Sequence, residues 1–285
     1  MGSIITLTTD FGLKDSYVGA MKGAILEINP EVKIVDISHA VTPQNVREGA
    51  YVLGSAYRYF PKGTIHLAVV DPGVGTGRRA LSIRGLDHYF IGPDNGVFSY
   101  VFTDAPEETG PGAPRQPINV GEGDLQRLPR GFEAVTLTRS LYWRPQVSDT
   151  FHGRDIFAPV AAHLSLGVPL EEFGEPVSSV VAFPRPTSVR GVDGSIEGEI
   201  IHIDGYGNLI TSIKASDLPD HRVETEIGGN RVKGICRSYE EGEGLLSIVG
   251  SAGYLEICEK NGSAAARTGA EIGNPVIVRP LSSLT

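Results

Sequence analysis

The chain has 285 residues and a formal net charge of −9, so it is long enough for two apolar cores and its acidity argues against nucleic acid as a partner. No apolar run approaches the roughly 18 residues that a membrane span needs, and the N-terminal "MGSIITLTTDFG" lacks the basic region and apolar core of a signal peptide. Cys236 and Cys258 lie in alternating apolar segments without zinc or redox spacing, so we expect buried thiols in a soluble, cytoplasmic protein without membrane contact.

Strand and helix patterns alternate through the first hundred residues. Short β-branched runs predict three strands, at residues 3–9, 33–38 and 64–70. Apolar residues at helical spacing predict two intervening helices, with buried stripes at Val18, Met21, Ile25 and Ile28, then at Val46, Ala50, Leu53 and Tyr57. Thr42 and Pro43 are expected to cap and begin the second helix. This alternation is typical of a parallel sheet covered by helices.

The pattern continues to about residue 184. The segment "ALSIRGLDHYFIGPD", at 80–94, predicts a hairpin, and the stretch 103–131 is rich in proline, glycine and charge, which predicts a surface excursion. A strand at 133–138 and a helix from about Asp155 to Leu166 complete this part. We therefore expect an α/β N-terminal domain with a mainly parallel sheet, covering residues 1–184.

The remaining chain has a different pattern. "FPRPTSVRGVDGS", at 183–195, carries two prolines and no periodicity, so it is predicted to be a linker. Short alternating apolar runs then follow at close spacing, separated by glycine turns. They predict a smaller all-β barrel as the C-terminal domain, residues 192–285.

Acidic residues occur at or near the ends of four predicted segments of the first domain. They are Asp10 after "TLTT", Asp36 inside "IVDIS", Asp71 after "LAVV" and Asp94 in "IGPDNG". Ligands of open parallel sheets bind beyond the carboxyl ends of the strands, so acids at this edge are expected to face a site. The alternative for any one of them is a turn-capping aspartate.

The stretch "VVDPGVGTGRRA" places Asp71 at a strand end and a cation seven residues later. Pro72 fixes the turn, and the following glycines let the backbone fold back so that Arg78 approaches Asp71. A carboxylate paired with arginine stays charged, which suits it to orienting water rather than to general-acid catalysis. A phosphate cradle is the less favoured alternative, because the loop lacks the lysine and helix start of such loops.

Two further segments offer polar groups beside glycines. "SDTFHGRDIFAP" places His152 before Gly153, where a substrate could approach closely, and before a helix whose expected cap is Asp155. "IDGYGNLITSI" combines Asp204, Tyr206 and Asn208 at a strand break in the barrel. A structural histidine and a plain hairpin turn are the respective alternatives.

Seven motifs in register carry a resemblance to a known family. They are "TTDFGLKDSYVGAMKG", "DISH" with "TP", "VVDPGVGTGRR", "GPDNG", "TFHGRDIFAP", "IDGYGNLITSI" and "SAGYLEICEKNGSA". Together they resemble the adenosine-forming S-adenosylmethionine hydrolases, also called hydroxide adenosyltransferases, which are relatives of the fluorinases and chlorinases. The resemblance runs from residue 4 to about 278 and omits only the 103–131 excursion.

The resemblance implies a reaction and an assembly. Members hydrolyse S-adenosyl-L-methionine to adenosine and L-methionine, without a metal or other cofactor, and form trimers with active sites at the subunit interfaces. The residues that match the water-positioning set are Asp71, Arg78 and His152. The halogenases have other residues at the first and last of these positions, so the match favours a hydrolase over a halide adenosyltransferase. A non-catalytic adenosyl-ligand sensor is the third hypothesis, and the intact set argues against it.

The resemblance also implies a substrate site. Asp10 matches a ribose-diol ligand, while Asp15, Ser16, Asp204 and Ser251 match the group around the methionine ammonium and carboxylate. Tyr206 and Asn208 match the residues that stack on and bond adenine, and the backbone near Asn261 and Gly262 is expected to close the pocket. Ala252 stands where the halogenases have arginine, which leaves the anchor of the methionine carboxylate open.

Overall fold

A computed structural model describes residues 3–105, 124–219 and 222–281. The chain divides into two compact units, Met1–Arg185 and Pro186–Thr285. Most of the predicted surface excursion, residues 106–123, lies outside the described residues. Its described end contains a short strand, Asp124–Arg127, whose side chains are largely exposed.

The first unit is an α/β structure. Its elements are β1 (Ile4–Thr9), α1 (Tyr17–Ile28), β2 (Lys33–Ser38), α2 (Val46–Ala56), β3 (Ile65–Val69), β4 (Ala80–Gly85), β5 (His88–Pro93), α3 (Ser99–Phe102), β6 (Asp124–Arg127), β7 (Glu133–Thr136), α4 (Ala158–Ser165) and β8 (Ser179–Ala182). The main sheet has the order β2-β1-β3-β5-β4-β7, in which the first four strands are parallel and β4 is antiparallel to both neighbours. Strands β6 and β8 form a separate pair. The predicted mainly parallel sheet and the β4–β5 hairpin are confirmed.

Apolar layers cover both faces of this sheet. Consecutive residues of a strand point to opposite faces, and Leu67 and Ala68 of β3 accordingly belong to different buried clusters. Met21 of α1 packs in the cluster with Leu67, whereas Leu53 of α2 packs in the cluster with Ala68. The sheet is therefore buried on both sides, which leaves the loops at the carboxyl ends of the parallel strands as the accessible edge.

The start of α2 differs from the prediction. The helix begins at Val46, and the Asn45 side chain caps it by accepting a hydrogen bond from the Glu48 amide at 3.1 Å. Gln44 has a φ of +67°, a left-handed conformation that a helix cannot continue through. The predicted roles of Thr42 and Pro43 at this helix start were therefore wrong.

The start of α4 also differs. One π-helical turn, Gly153–Phe157, precedes the α-helix, which begins at Ala158 rather than near Asp155. The buried Asp155 carboxylate accepts hydrogen bonds from the Ser148 amide at 2.9 Å and from the Arg154 guanidinium at 2.6 Å. Because these partners occupy it, Asp155 anchors the preceding loop and the predicted helix cap was wrong.

The second unit is an antiparallel, nearly closed barrel. Its elements are β9 (Val189–Arg190), β10 (Ile196–Ile203), β11 (Leu209–Lys214), β12 (Val223–Ile227), β13 (Asn230–Lys233), β14 (Leu245–Val249), β15 (Tyr254–Glu259), α5 (Ala264–Thr268) and β16 (Pro275–Pro280). The strand order is β13-β12-β16-β10-β11-β15-β14, with β9 beside β10, so a strand lies within the predicted linker 183–195. A bridge between Cys236 and Ile248 approaches closure, and the Cys236 amide donates to the Ser247 carbonyl at 2.8 Å. The predicted barrel is confirmed; Cys258 is buried and Cys236 is partly exposed.

A buried histidine pair crosses the sheet of the first unit. His66 Nδ1 lies 2.8 Å from Thr6 Oγ1, and His66 Nε2 lies 3.3 Å from His88 Nδ1. Burial, with a smaller contribution from His88, lowers the pKa of His66 to about 3. The folded protein therefore keeps His66 neutral at pH values where the unfolded chain binds a proton.

This pair makes stability depend on pH. Since the folded pKa of His66 is below the unfolded value of 6.5, its proton linkage leaves stability intact above pH 6.5 and lowers it as pH falls toward 3. One proton corresponds to about 1.4 kcal/mol per pH unit, so we expect His66→Gln to flatten the acid slope of the unfolding free energy by up to that amount. Urea denaturation at pH 7, 6 and 5 measures it, and parallel slopes for the two proteins would contradict the assignment.

Candidate active site

Asp71, Arg78 and His152 form a connected group at the carboxyl end of β3. Arg78 Nε donates to Asp71 Oδ1 at 3.0 Å, and Arg78 Nη2 donates to Asp71 Oδ2 at 2.5 Å. Arg78 Nη2 also lies 2.9 Å from His152 Nδ1. The guanidinium packs 5.2 Å above the Phe157 ring, and both members of the ion pair are largely buried. The structure thus brings together the three residues that the sequence singled out for chemistry.

The glycine-rich loop after β3 makes this contact possible. Its backbone turns back through hydrogen bonds from the Val74 amide to the Asp71 carbonyl at 3.2 Å and from the Thr76 amide to the Gly73 carbonyl at 3.1 Å. Gly75 has a φ of +75°, and a Cβ there would lie 2.4 Å from the Asp149 carbonyl oxygen. Only glycine permits this approach, so the loop packs directly on the segment that leads to His152.

The environment of His152 fixes its proton. Arg78 is a pure donor, so His152 Nδ1 accepts the hydrogen bond and the neutral ring carries its proton on Nε2. Burial, followed by the positive charge of Arg78, lowers the pKa of His152 below 6.5. The imidazole is therefore neutral at neutral pH, and its second nitrogen, Nε2, is a hydrogen-bond donor rather than a free base.

A pocket of about 360 Å³ opens beside this group. Both Asp10 and Asp71 line it, together with Phe11, Tyr17 and Gln44. The Gln44 backbone amide donates a hydrogen bond to Asp10 Oδ2 at 2.7 Å, which holds the carboxylate in place. Two of the predicted strand-end acids therefore share one cavity.

The other two strand-end acids have structural partners. Asp36 lies 2.6 Å from Lys22 Nζ and 3.1 Å from His39 Nε2. Asp94 is buried, pairs with Arg79 at 2.5 Å and accepts from the Val181 amide at 2.7 Å. The expectation that all four acids face the site was wrong for Asp36 and Asp94, because these contacts occupy their carboxylates.

Three residues near the N-terminal pocket are placed differently from what the sequence suggested. Asp15 and Ser16 are exposed at the start of α1 and do not line the pocket, whereas their neighbour Tyr17 does. Gly153 is buried, and a Cβ there would meet Met21 Sδ at 3.3 Å and Val69 at 3.5 Å. Its missing side chain therefore faces the core, and the idea that it admits a substrate was wrong.

A second pocket, of about 410 Å³, lies in the barrel. Four predicted residues line it, Tyr206, Asn208, Asn261 and Gly262, and it also includes Tyr239. The predicted Asp204 does not line this pocket; its Oδ1 accepts from the amides of Tyr206 and Asn208 at 2.9 Å each, and its Oδ2 accepts from Asn208 Nδ2 at 2.8 Å. Asp204 thereby shapes the loop that presents the aromatic ring and the amide.

The last predicted residue and the missed ones follow from loop geometry. Ser251 is exposed on the turn between β14 and β15 and does not line the barrel pocket. The pocket residues that were missed include Phe11, Tyr17, Gln44 and Tyr239. Phe11 and Tyr17 lie within the motif "TTDFGLKDSYVGAMKG", and Gln44 follows the proline expected to start α2, so proximity to those motifs was the available signal. Nothing in the local sequence marks Tyr239.

The described parts of the chain contain no cluster of three or more side chains suited to holding a metal ion. Within the same described ranges, no helix is both long enough and apolar enough to cross a membrane.

An α/β unit with an acidic pocket at its strand ends, followed by a barrel with an aromatic and amide pocket, defines a two-domain protein that binds small molecules. The family profile described as SAM hydroxide adenosyltransferase N-terminal domain matches residues 5–116 and 121–174, and the matching C-terminal domain profile covers 198–277. The chain therefore belongs to the SAM hydroxide adenosyltransferase family.

Individual relatives agree with this assignment. A (R)-S-adenosyl-L-methionine hydrolase of Thermus thermophilus is 39% identical over 94% of this chain and 96% of its own length. The enzyme of the same name from Methanocaldococcus jannaschii is 35% identical over 89% and 87%, respectively. A fluorinase of an Actinoplanes species is 30% identical over 75% of this chain and 73% of its own. Among solved structures, an uncharacterized conserved protein from Thermotoga maritima has a TM-score of 0.81, with 32% identity over 98% of this chain and all of that one.

Proposed function

We propose that this protein hydrolyses S-adenosyl-L-methionine to adenosine and L-methionine. Four relatives at 34–40% identity carry the name (R)-S-adenosyl-L-methionine hydrolase, so we extend the proposal to the R configuration at the sulfonium. The observation that carries the proposal is the joined group of Asp71, Arg78 and His152 beside a pocket that also contains Asp10.

The reaction needs an oriented nucleophile more than an acid. The water oxygen forms a bond to ribose C5′ while the C5′–S bond breaks, and its electron pair stays on sulfur as the neutral thioether of methionine. Because the leaving group is neutral, no proton has to be donated to it. The water proton is lost through a carboxylate to solvent, and alignment within near-attack distance supplies most of the acceleration.

The three residues divide this task. Asp71 lines the pocket and accepts a hydrogen bond from the attacking water, then takes its proton as the C5′–O bond forms. Arg78 fixes both oxygens of that carboxylate and balances its charge. His152 points its Nε2–H at the developing hydroxide and holds it in line. This chemistry uses the chain's own side chains and water, with no added cofactor.

The remaining predicted residues divide between ribose, adenine and the amino-acid tail. The Asp10 Oδ1 atom accepts hydrogen bonds from the ribose hydroxyls, because Oδ2 already accepts a hydrogen bond from the Gln44 backbone amide. In the barrel pocket, Tyr206 and Tyr239 offer aromatic faces to adenine, and the Asn208 amide nitrogen is committed to Asp204, so its oxygen accepts from the adenine amino group. We propose that Asp15, Ser16, Asp204 and Ser251, which line neither of these pockets within one chain, bind the amino-acid tail where two chains meet, and that the backbone at Asn261 and Gly262 closes the adenine end.

Because the two sets of residues lie in different units, we propose a homotrimer in which each active site combines the first unit of one chain with the barrel of its neighbour. Free Cys236 and Cys258 suit a reducing compartment, so we place the enzyme in the cytoplasm.

Isotope labelling tests the proposed reaction directly. In ¹⁸O water with excess chloride or fluoride, we expect adenosine that carries the label at C5′, because the Asp71 carboxylate repels an anionic nucleophile but accepts a hydrogen bond from water. Mass spectrometry of the nucleoside gives the answer. A 5′-halo-5′-deoxyadenosine as the main product, or unlabelled adenosine, would exclude the hydrolase.

The pH profile tests the role of His152. Protonation removes its acceptor atom and places a cation against Arg78, so we expect kcat to fall on the acid side with an apparent pKa below 6.5. His152→Asn keeps an acceptor oxygen for Arg78 but does not titrate, and this variant should lose that acid limb while keeping measurable activity. The same limb in both proteins would assign it to another group.

A further inference from the structure

We infer that Phe11 and Tyr17 form an aromatic wall that recognises the positive charge of the sulfonium, and that this wall makes the enzyme select a sulfonium over the corresponding neutral thioether. The inference rests on the proposed function, because it concerns the substrate of the same pocket. Both rings line the cavity that contains Asp10 and Asp71.

The charges of this cavity favour a cation. Its lining residues, all within the described chain, include two carboxylates and neither lysine nor arginine. Arg78 does not line the pocket, and its N–H groups donate hydrogen bonds to the Asp71 carboxylate and to His152. A ligand that enters the pocket therefore meets negative charge without a compensating side-chain cation in the lining.

The two rings pack with Phe151 in one aromatic cluster beside this cavity. The Tyr17 ring centroid lies 5.2 Å from that of Phe151 at an interplanar angle of 88°, and Phe11 lies 5.7 Å from Phe151 and 5.8 Å from Tyr17. Tyr17 is nevertheless 48% exposed. A ring that is packed on its neighbours but open to the pocket is a preformed surface for a cation.

The chemistry of the reaction gives this wall a purpose. A sulfonium spreads its charge over the attached carbons and is attracted by the negative face of an aromatic ring, as quaternary ammonium ligands are. When the C5′–S bond breaks, sulfur becomes neutral and the attraction disappears. The aromatic wall therefore strengthens binding of the substrate, whereas binding of methionine or of an adenosyl thioether gains nothing from this attraction.

The test compares the two ligands in aromatic-ring variants. Titration calorimetry gives Kd values for S-adenosylmethionine, with hydrolysis suppressed by an added Asp71→Asn change, and for its thioether S-adenosylhomocysteine. We expect Tyr17→Leu to weaken sulfonium binding by about 5- to 30-fold and thioether binding by less than about twofold. Tyr17→Phe should leave both within about twofold. Tyr59→Leu, which alters a 75% exposed tyrosine outside the pocket, is the control and should change neither.

Each outcome decides the inference. Equal weakening of both ligands by Tyr17→Leu would show a packing role without charge recognition, and loss of binding in Tyr17→Phe would show that the hydroxyl is the group that matters. Phe11→Leu repeats the measurement at the second ring, so that misfolding of one variant does not leave the question undecided. Failure of the proposed function would give a different result: the wild-type protein would bind S-adenosylmethionine selectively but would form no adenosine.

Discussion

Replacing Asp71 with asparagine is expected to lower the rate of adenosine formation by about 10²- to 10⁴-fold, the usual effect of removing a catalytic base. The asparagine side chain has the same size as that of aspartate but lacks the negative charge to which Arg78 donates hydrogen bonds through Nε and Nη2. It also loses the proton acceptor that the attacking water needs. Single-turnover measurements of adenosine, with excess enzyme, report this step without a contribution from product release.

A matched control is available in a neighbouring strand. Asp36→Asn makes the same chemical change within β2, where the carboxylate contacts Lys22 and His39 outside the pocket. This variant should retain the wild-type rate within about twofold. The Asp71→Asn variant should still bind the substrate with measurable affinity, because we expect the substitution to slow the chemical step. Turnover near the wild-type rate in Asp71→Asn would remove Asp71 from the mechanism.

Mixing two inactive variants is expected to restore activity if sites are shared between chains. A chain with Asp71→Asn keeps an intact barrel pocket, and a chain with Asn208→Ala keeps the intact acid pocket. In a trimer assembled at random from equal amounts, about a quarter of the sites combine the two intact halves. Activity should therefore rise from near background to about a quarter of the wild-type level in the unfractionated mixture, and to about a third in purified assemblies that contain both variants, where one site in three is intact.

This experiment requires proof that the chains have mixed. Co-expression with two different affinity tags, followed by sequential purification, isolates assemblies that contain both variants, and light scattering reports their size. Co-purified Asp71→Asn chains carrying both tags provide the control, which should stay inactive. Mixed trimers without recovered activity would mean that each chain builds its own site. A monomer in light scattering would exclude the proposed assembly.

Spacing in the sequence predicted the contact between Asp71 and Arg78 because the intervening residues leave few other conformations. A proline follows the acid, and glycines then allow a tight return, so the arginine has a short path back. The same reasoning failed at Asp94, which also follows a strand. Arg79 lies opposite Asp94 at the base of the predicted β4–β5 hairpin, so this partner follows from the hairpin, whereas the Val181 amide comes from a distant part of the chain and has no local signal.

Pocket walls were harder to predict than pocket acids. Tyr239 reaches the barrel pocket from the segment between β13 and β14, and its position depends on how the barrel closes rather than on neighbouring residues. Gln44 adopts a left-handed backbone that residues other than glycine rarely adopt, so its position after Pro43 gave only proximity and did not predict its contact with Asp10. Long-range packing in one case and an uncommon torsion in the other determined these contacts.

The cradle around Arg78 has a consequence for the energy of the reaction. Carboxylate, imidazole and the Phe157 ring hold the guanidinium on three sides before any ligand arrives. In the proposed mechanism, the groups that orient the attacking water are therefore aligned once, when the unit folds, and need little reorganisation during each turnover. The free energy of folding thus keeps these charged and polar groups in the arrangement that the proposed transition state needs. Unfolding of the loop between β3 and β4 would therefore abolish the alignment.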